Sequence, residues 1–309
     1  MTDIRSIQKQ LEKLTAAVSK QAGDTTSPLF KDFALNYQSE KLAKTSLRIA
    51  TKRAFEYQVR CFLVPAFGHL TLDQITSHVW DTQIPLWLGQ GRLTRFFNTK
   101  KCMTEIMRAA HKAGMIDRVP ELENPDEARN VGRVVSEEEF ELIQANVTYP
   151  IFKLFFFTLR RMGCRPREIL RWEWDFIEYP ETEGGKAWIN IPARISKTGR
   201  NRKIPINSEV WTQLLAWRVQ GPMNSKYVFP NRRHPGQPQL SYHGAWKTAC
   251  TKAGVAYCVP YDYRRTFITV KMENNESGVF VAKYLDTSML QIEKTYAKAQ
   301  RVTMEGIAG

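Results

Sequence analysis

The sequence predicts a mainly helical protein with one small antiparallel β-sheet, an α+β arrangement preceded by an all-α segment. Three observations predict it. Apolar residues recur at helical spacing through most of the chain, with capping signals where such segments begin. Only two stretches, Trp188–Ile191 and Lys203–Ile206, read as strands, and Ser196-Lys197-Thr198-Gly199-Arg200 between them reads as a hairpin turn. The acidic, proline-containing run Glu121-Leu122-Glu123-Asn124-Pro125-Asp126-Glu127 reads as an exposed linker between two parts.

In order along the chain, Ile4, Ile7, Leu11, Leu14 and Val18 alternate steps of three and four. Residues 1–24 are therefore expected to hold a helix that packs on a neighbouring subunit or on its own domain. Residues 28–120 read as a small all-α domain of four or five helices, with a stop at Val64-Pro65-Ala66-Phe67-Gly68. A linker is expected at 121–130, and a second domain over 131–309. Ser136-Glu137-Glu138-Glu139 is a capping box that opens a helix through about Val147. Pro150 opens an apolar helix that closes at Gly163. Pro166 suits the first position of the next helix, which puts Arg165 at a tight junction beside unpaired backbone N–H groups. After the two strands, helices are expected from Ser241 onward, with breaks near Gly254–Pro260, Asn274–Gly278 and Asp286–Ser288.

Charge is the abnormal feature of the composition. The 309 residues carry 45 Lys+Arg against 31 Asp+Glu, a formal net charge of +14. Residues 28–120 hold 14 basic against 7 acidic side chains and residues 131–309 hold 26 against 17, so both parts are basic. Such a surplus calls for a polyanionic partner, nucleic acid or an anionic membrane. No apolar run approaches the ~18 residues of a membrane span; the best, Ile151–Phe157, is short and contains Lys153. The opening Met1-Thr2-Asp3-Ile4-Arg5 lacks a signal-peptide layout. Five widely spaced cysteines without a CxxC pair fit reduced thiols, and five histidines show no metal-ligand spacing. The expectation is a cytoplasmic protein with no metal, no cofactor and no membrane partner.

Four ordered boxes in the second part resemble the tyrosine recombinase, or phage integrase, family. The all-α segment before them resembles that family's helical, SAM-like core-binding domain, including Pro65-Ala66-Phe67-Gly68. The first box is Gly163-Cys164-Arg165-Pro166-Arg167-Glu168-Ile169-Leu170, where an arginine at a helix start can aim its planar fork at a phosphate. Glu168, one turn on, can orient the basic groups, although a plain surface pair of Arg165 with Glu168 reads equally well from this box alone. The second is Lys197 in Ser196-Lys197-Thr198-Gly199. Arg200 and Lys203 lie near enough to leave the assignment open by a few positions.

The third box, Pro260-Tyr261-Asp262-Tyr263-Arg264-Arg265-Thr266-Phe267, places Arg264 as a second phosphate-clamping arginine and Tyr261 where the family usually carries histidine. A phenol of pKa ~10 is a poorer proton acceptor near neutrality than an imidazole of pKa ~6.5. The fourth is Leu285-Asp286-Thr287-Ser288 followed by Tyr296, nine residues after Thr287. Here Thr287 replaces the family's histidine and Asp286 its glycine. Asp286 would repel a phosphate unless its side chain turns away to cap the Tyr296 helix.

The resemblance implies attack by Tyr296 on a DNA phosphodiester, giving a 3′-phosphotyrosine and a free 5′-hydroxyl, without ATP or metal. Arg165 and Arg264 would stabilise the phosphorane, and Lys197 would protonate the leaving oxygen. The implied partners are a double-stranded recombination site and further copies of the chain, as a tetramer on DNA. The two altered positions raise an alternative: a catalytically weakened or retired DNA-binding protein on the same fold, serving as an assembly partner or regulator.

Overall fold

A computed structural model of the chain describes residues 27–88, 93–124, 132–182, 184–221 and 225–297. The expected helix at 1–24, most of the 121–130 linker and the tail after 297 lie outside the described residues. The chain divides into two compact units, Met1–Asn130 and Val131–Gly309.

In the first unit the described residues form helices at Phe30–Ala43, Ile49–Gln58, Ser77–Asp81, Ile84–Leu88 and Leu93–Lys112. The stop expected from Val64 takes a different form. Ile49–Gln58 continues without a break into a π-helical turn, Val59–Leu63, and a short α-turn, Val64–Phe67. Pro65 has no N–H to give, and the wider turn places Val64 N–H on the Val59 carbonyl instead. The helix then ends at Gly68, whose N–H bonds the Val64 carbonyl at 2.8 Å. Thr76 caps Ser77–Asp81 by accepting the Val79 N–H. Phe30, Leu63, Phe67, Leu72, Trp80, Phe96 and Met103 are fully buried in this unit, with the Phe67 and Trp80 rings stacked at 5.9 Å. Inside it, the Thr99 hydroxyl donates to Gln58 Oε1 at 2.7 Å, which satisfies a buried polar pair.

The second unit is α+β, as expected. Ser136 and Glu139 form the capping box that opens Glu137–Ala145. Pro150–Met162 follows and buries Ile151, Phe152, Phe155, Phe156, Leu159 and Met162. Three strands, β1 (Ile177–Glu178), β2 (Trp188–Ile191) and β3 (Arg202–Pro205), form one antiparallel sheet in the order β1-β2-β3. The pairing sets Ile189 opposite Ile204 and Ile191 opposite Arg202. The expected five-residue turn is therefore a ten-residue loop, 192–201, because Pro192 leaves the ladder and the Ala193 N–H bonds the Asn201 side chain instead of a backbone carbonyl.

Helices do not wait until Ser241. Ser208–Gln220 comes directly after the sheet, capped by Asn207, whose side-chain oxygen accepts the Glu209 and Val210 N–H groups. His243–Ala253, Pro260–Glu273 and Gly278–Leu285 follow, and residues 289–297 are helical. Trp172, Phe155, Phe156 and Tyr263 fill the main core of this unit. A smaller core of Ile268, Val281, Ala282, Leu285 and Ile292 seats the last two helices on Pro260–Glu273. Among the described residues no helix is long and apolar enough to cross a membrane.

Gly163 ends the Pro150–Met162 helix in the left-handed conformation, at φ 61°. A Cβ there would lie 2.5 Å from the Phe267 ring. Gly163→Ala is accordingly expected to destabilise the fold by about 2–4 kcal/mol, combining left-handed strain with overpacking. Chemical denaturation measures it, and an unchanged midpoint would show that this turn tolerates a side chain.

Candidate functional site

The chain leaves the left-handed turn at Gly163 and extends at Arg165, which precedes a proline and so is held out of the helical region. Pro166–Ile169 then starts one short helical turn. Arg165 Nη1 donates to Glu168 Oε1 at 2.9 Å, and its Nη2 donates to the Asp286 carbonyl at 2.6 Å. Its side chain is 14% exposed.

Glu168 is the hub. Its side chain is 2% exposed and its other oxygen, Oε2, accepts from Arg202 Nη2 at 2.7 Å. Oε1 also takes a long 3.5 Å bond from the Lys197 backbone N–H. Arg202, on β3, is nearly as buried, and its Nε and Nη1 have no hydrogen-bond acceptor among the described residues. Burial of that kind is tolerated only because a carboxylate is in direct contact.

Arg264 lies on the first turns of Pro260–Glu273 and is 2% exposed. Its two terminal nitrogens donate to the Gly163 carbonyl at 3.1 Å and the Leu285 carbonyl at 3.0 Å. Burial, opposed by Tyr261 and reinforced by the charge of Arg165, lowers its guanidinium from the ordinary value; an arginine so placed still stays charged. Arg165 and Arg264 thus come from different elements and grip consecutive carbonyls, Asp286 and Leu285, at one helix end.

That helix end corrects an expectation. Asp286 occupies the left-handed position, at φ 52°, and closes Gly278–Leu285 with two bonds: its own N–H to the Lys283 carbonyl and the Thr287 N–H to the Ala282 carbonyl. The carboxylate does not turn away to cap the next helix. Ser288 does that, accepting the Gln291 N–H on its hydroxyl oxygen. Asp286 Oδ2 instead accepts from the Ser196 hydroxyl at 3.0 Å and from the Thr198 hydroxyl, with Arg165 Nη1 at 3.5 Å and Arg202 Nη1 at 3.7 Å. A non-glycine residue in this conformation costs about 1–2 kcal/mol. Hydrogen bonds to a charged group contribute about 1.5–3 kcal/mol each, enough to hold it. Burial works to raise the Glu168 and Asp286 carboxyls, but the surrounding guanidiniums and hydroxyls more than reverse this. Both carboxyls titrate below the usual range.

The remaining positions ring this cluster less tightly. Lys197 is exposed on the 192–201 loop, and its backbone rather than its side chain meets Glu168. Tyr261 is 46% exposed at the start of its helix, near enough to Arg264 to act on its charge. Thr287 is half-buried beside Asp286. Tyr296 is half-buried on the 289–297 helix, one turn after the fully buried Ile292, so the face that seats the helix also carries the tyrosine.

Residues 133–302, more than half of the chain, match the phage integrase family. The chain belongs to that family. Among curated proteins, the prophage integrase IntA of Escherichia coli K12 is 22% identical over 244 residues, spanning 75% of this chain and 55% of IntA. The chain thus matches about half the length of that relative. Among solved structures, a lambda integrase dimer bound to a COC′ core site superposes with a TM-score of 0.71 at 14% identity, covering 94% of this chain and 85% of that one. The Tn1549 transposon integrase in complex with circular intermediate DNA gives 0.71 at 15% identity, covering 90% of this chain and 99% of that one. A lambda integrase tetramer bound to a Holliday junction gives 0.69 at 15%, with 90% and 80% covered. At these identities the likeness is one of fold.

Within this integrase fold, sequence reasoning missed three side chains and misdirected a fourth. Arg202 was passed over because it opens β3 next to Lys203, where a basic residue at a strand end reads as surface charge. Ser196 and Thr198 were read only as turn residues flanking Lys197. Asp286 was correctly singled out as abnormal, but isolated-charge reasoning turned it outward because it left out the four donors that the fold brings to it.

Proposed function

We propose that this integrase-family chain is a site-specific DNA recombinase that cleaves and rejoins double-stranded DNA through a 3′-phosphotyrosine. The observation that carries the reading is the pairing of Arg165 and Arg264 on the adjacent Asp286 and Leu285 carbonyls, which fixes two guanidiniums side by side. A phosphodiester presented there meets two planar forks pre-set for its non-bridging oxygens.

In this reading the Tyr296 hydroxyl gives up its proton to solvent and its oxygen forms a bond to phosphorus as the bond from phosphorus to the 5′ oxygen breaks. Lys197 delivers the proton that the departing oxygen needs, and a 5′-hydroxyl later reverses the step on a partner strand. Glu168 holds Arg165 and Arg202 in place without touching the phosphate. Tyr261 and Thr287 each offer a hydroxyl hydrogen bond to phosphate oxygens. Bond energy is kept in the phosphotyrosine, so the scheme calls for no cofactor. The lambda integrase likeness, in a dimer on a core site and a tetramer on a Holliday junction, supports several copies of the chain assembling on a duplex site as a tetramer, and a DNA substrate would place that tetramer in the nucleoid.

A specific observation favours the second reading, a DNA-binding assembly partner with weak or retired cleavage. The Asp286 carboxylate faces Arg165, which the first reading reserves for phosphate. Covalent chemistry separates the two. A duplex recovered by binding from a randomised pool is nicked so that the cleaved strand is lost, then incubated in EDTA. The recombinase reading expects a protein–DNA adduct that survives denaturation. Tight binding with no adduct would leave the second reading. Under either, affinity is expected to fall about 10³-fold or more between roughly 50 and 200 mM salt, because phosphate contacts release counterions. A flat salt response in a mobility-shift titration would remove DNA as the partner.

A further inference from the structure

Lys197 sits between two anchored neighbours. The Ser196 and Thr198 hydroxyls both donate to Asp286 Oδ2, the Thr198 N–H donates to Ser196 Oγ at 3.2 Å, and the Lys197 N–H reaches Glu168. Ser196 is fully buried, whereas Lys197 and Thr198 are exposed. The loop holds ten residues between β2 and β3; its first half is fixed by the Ile195 and Ser196 N–H bonds to the Pro192 carbonyl, by buried Ile195 and by Arg194 on Glu173, and the Asn201 side chain closes it on the Ala193 N–H. The stretch at Lys197 and Thr198 is held by Asp286 and Glu168 from outside the loop, and the contacts of the Asp286 carboxylate with the two hydroxyls are shorter than those of the same carboxylate with Arg165 and Arg202.

We propose that Asp286 is a positioning residue for Lys197: its carboxylate clamps the hydroxyls on either side of the lysine, so that the ammonium is presented to the leaving 5′ oxygen. This rests on the recombinase reading and extends it to a residue outside the reacting groups. The left-handed backbone at Asp286 aims the carboxylate, and the helix end it closes is the one gripped by Arg165 and Arg264. The proton donor and the anion-binding arginines are thereby referenced to one point of the backbone. Glycine at this position would hold the same backbone and offer nothing to the loop.

The test uses two suicide duplexes of the same bound sequence, one with the natural 5′ oxygen at the scissile phosphate and one with sulfur in its place. With oxygen, the bond from phosphorus to the 5′ oxygen breaks and that oxygen must take a proton from Lys197. With sulfur, the bond from phosphorus to sulfur breaks and a thiolate departs unprotonated, so the lysine is not needed. Asp286→Gly suits the left-handed backbone and keeps the fold; Asp286→Asn keeps one acceptor oxygen.

Asp286→Gly is expected to slow adduct formation about 10²-fold on the oxygen duplex, the lower end of a general-acid effect, and to return within a few-fold of wild type on the sulfur duplex. Asp286→Asn is expected to lose less than about tenfold on oxygen, since an amide oxygen can still accept one of the two hydroxyl hydrogen bonds. Amide exchange over residues 192–201 is expected to quicken in Asp286→Gly and not in Asp286→Asn. Three outcomes overturn the clamp: equal slowing on both duplexes, unchanged exchange in the loop, or faster cleavage of the oxygen duplex by Asp286→Gly. The last would mean that the carboxylate fills the place of the phosphate instead. If wild type forms no adduct with either duplex, the recombinase reading falls and takes the catalytic role of the clamp with it. Faster exchange in Asp286→Gly would then leave only a structural tie.

Discussion

Tyr296→Phe is expected to bind a selected duplex as wild type does and to form no covalent adduct with it. The change removes one oxygen from a half-buried ring on a helix seated by the buried Ile292, so the helix keeps its anchor. What disappears is the sole atom assigned to attack phosphorus, and no rate remains for the covalent step. A mobility-shift titration beside a denaturing gel measures both halves. Persistence of the adduct would move the nucleophile elsewhere, and Tyr261 is the competitor to try next, since its phenol is exposed and near Arg264. Tyr284 is a poor competitor: burial pushes its phenol well above the ordinary value, and its hydroxyl faces the Met162 sulfur.

Glu168→Ala carries the largest expected effect on stability. It strips the carboxylate from Arg202, whose side chain is 9% exposed, and from Arg165 at 14%. Removing one partner of a buried ionic cluster typically costs about 3–5 kcal/mol, because the remaining charge stays desolvated and unpaired. The effect should also vary with pH. Glu168 titrates below the ordinary carboxylate value in the folded chain, so its stabilisation is complete above an unfolded-state pKa of about 4.3 and is lost as pH falls through the lower native value. The gap between wild type and Glu168→Ala is thus expected to be full at pH 7 and to close in acid. Urea midpoints at several pH values would show it. A gap that is small at pH 7, or that widens in acid, would mean that Arg202 finds its compensation elsewhere.

The parts of the fold legible in the sequence are those with local causes. The Ser136 capping box, the glycine stop at Gly163 and the helix start at Pro166 each depend on neighbours within four positions, and each forms as read. Ser208–Gln220 was missed because apolar residues ring it: it buries Val210 and Leu214 yet exposes Leu215 and Val219, which blurs the helical period. Its Asn207 cap was visible and outweighed by the strand before it. β1 has two residues, too few for any alternation. In the site, Arg165 and Arg264 came from the resemblance of their boxes to the family's, each beside a helix start that the local sequence also signals. Arg202 and the inward turn of Asp286 depend on contacts across 34 and 90 positions, which no window of sequence contains.

The grip of Arg165 and Arg264 on the Asp286 and Leu285 carbonyls has a bearing on how the molecule comes into being. Synthesis proceeds from the N-terminus, so both arginines emerge from the ribosome before the Leu285 and Asp286 carbonyls that they share. Until Gly278–Leu285 docks on Pro260–Glu273, each has lost one of its anchors. The order of translation therefore fixes this arginine pair last, after its scaffold, and an unfinished chain carries the charges without the arrangement that sets them side by side.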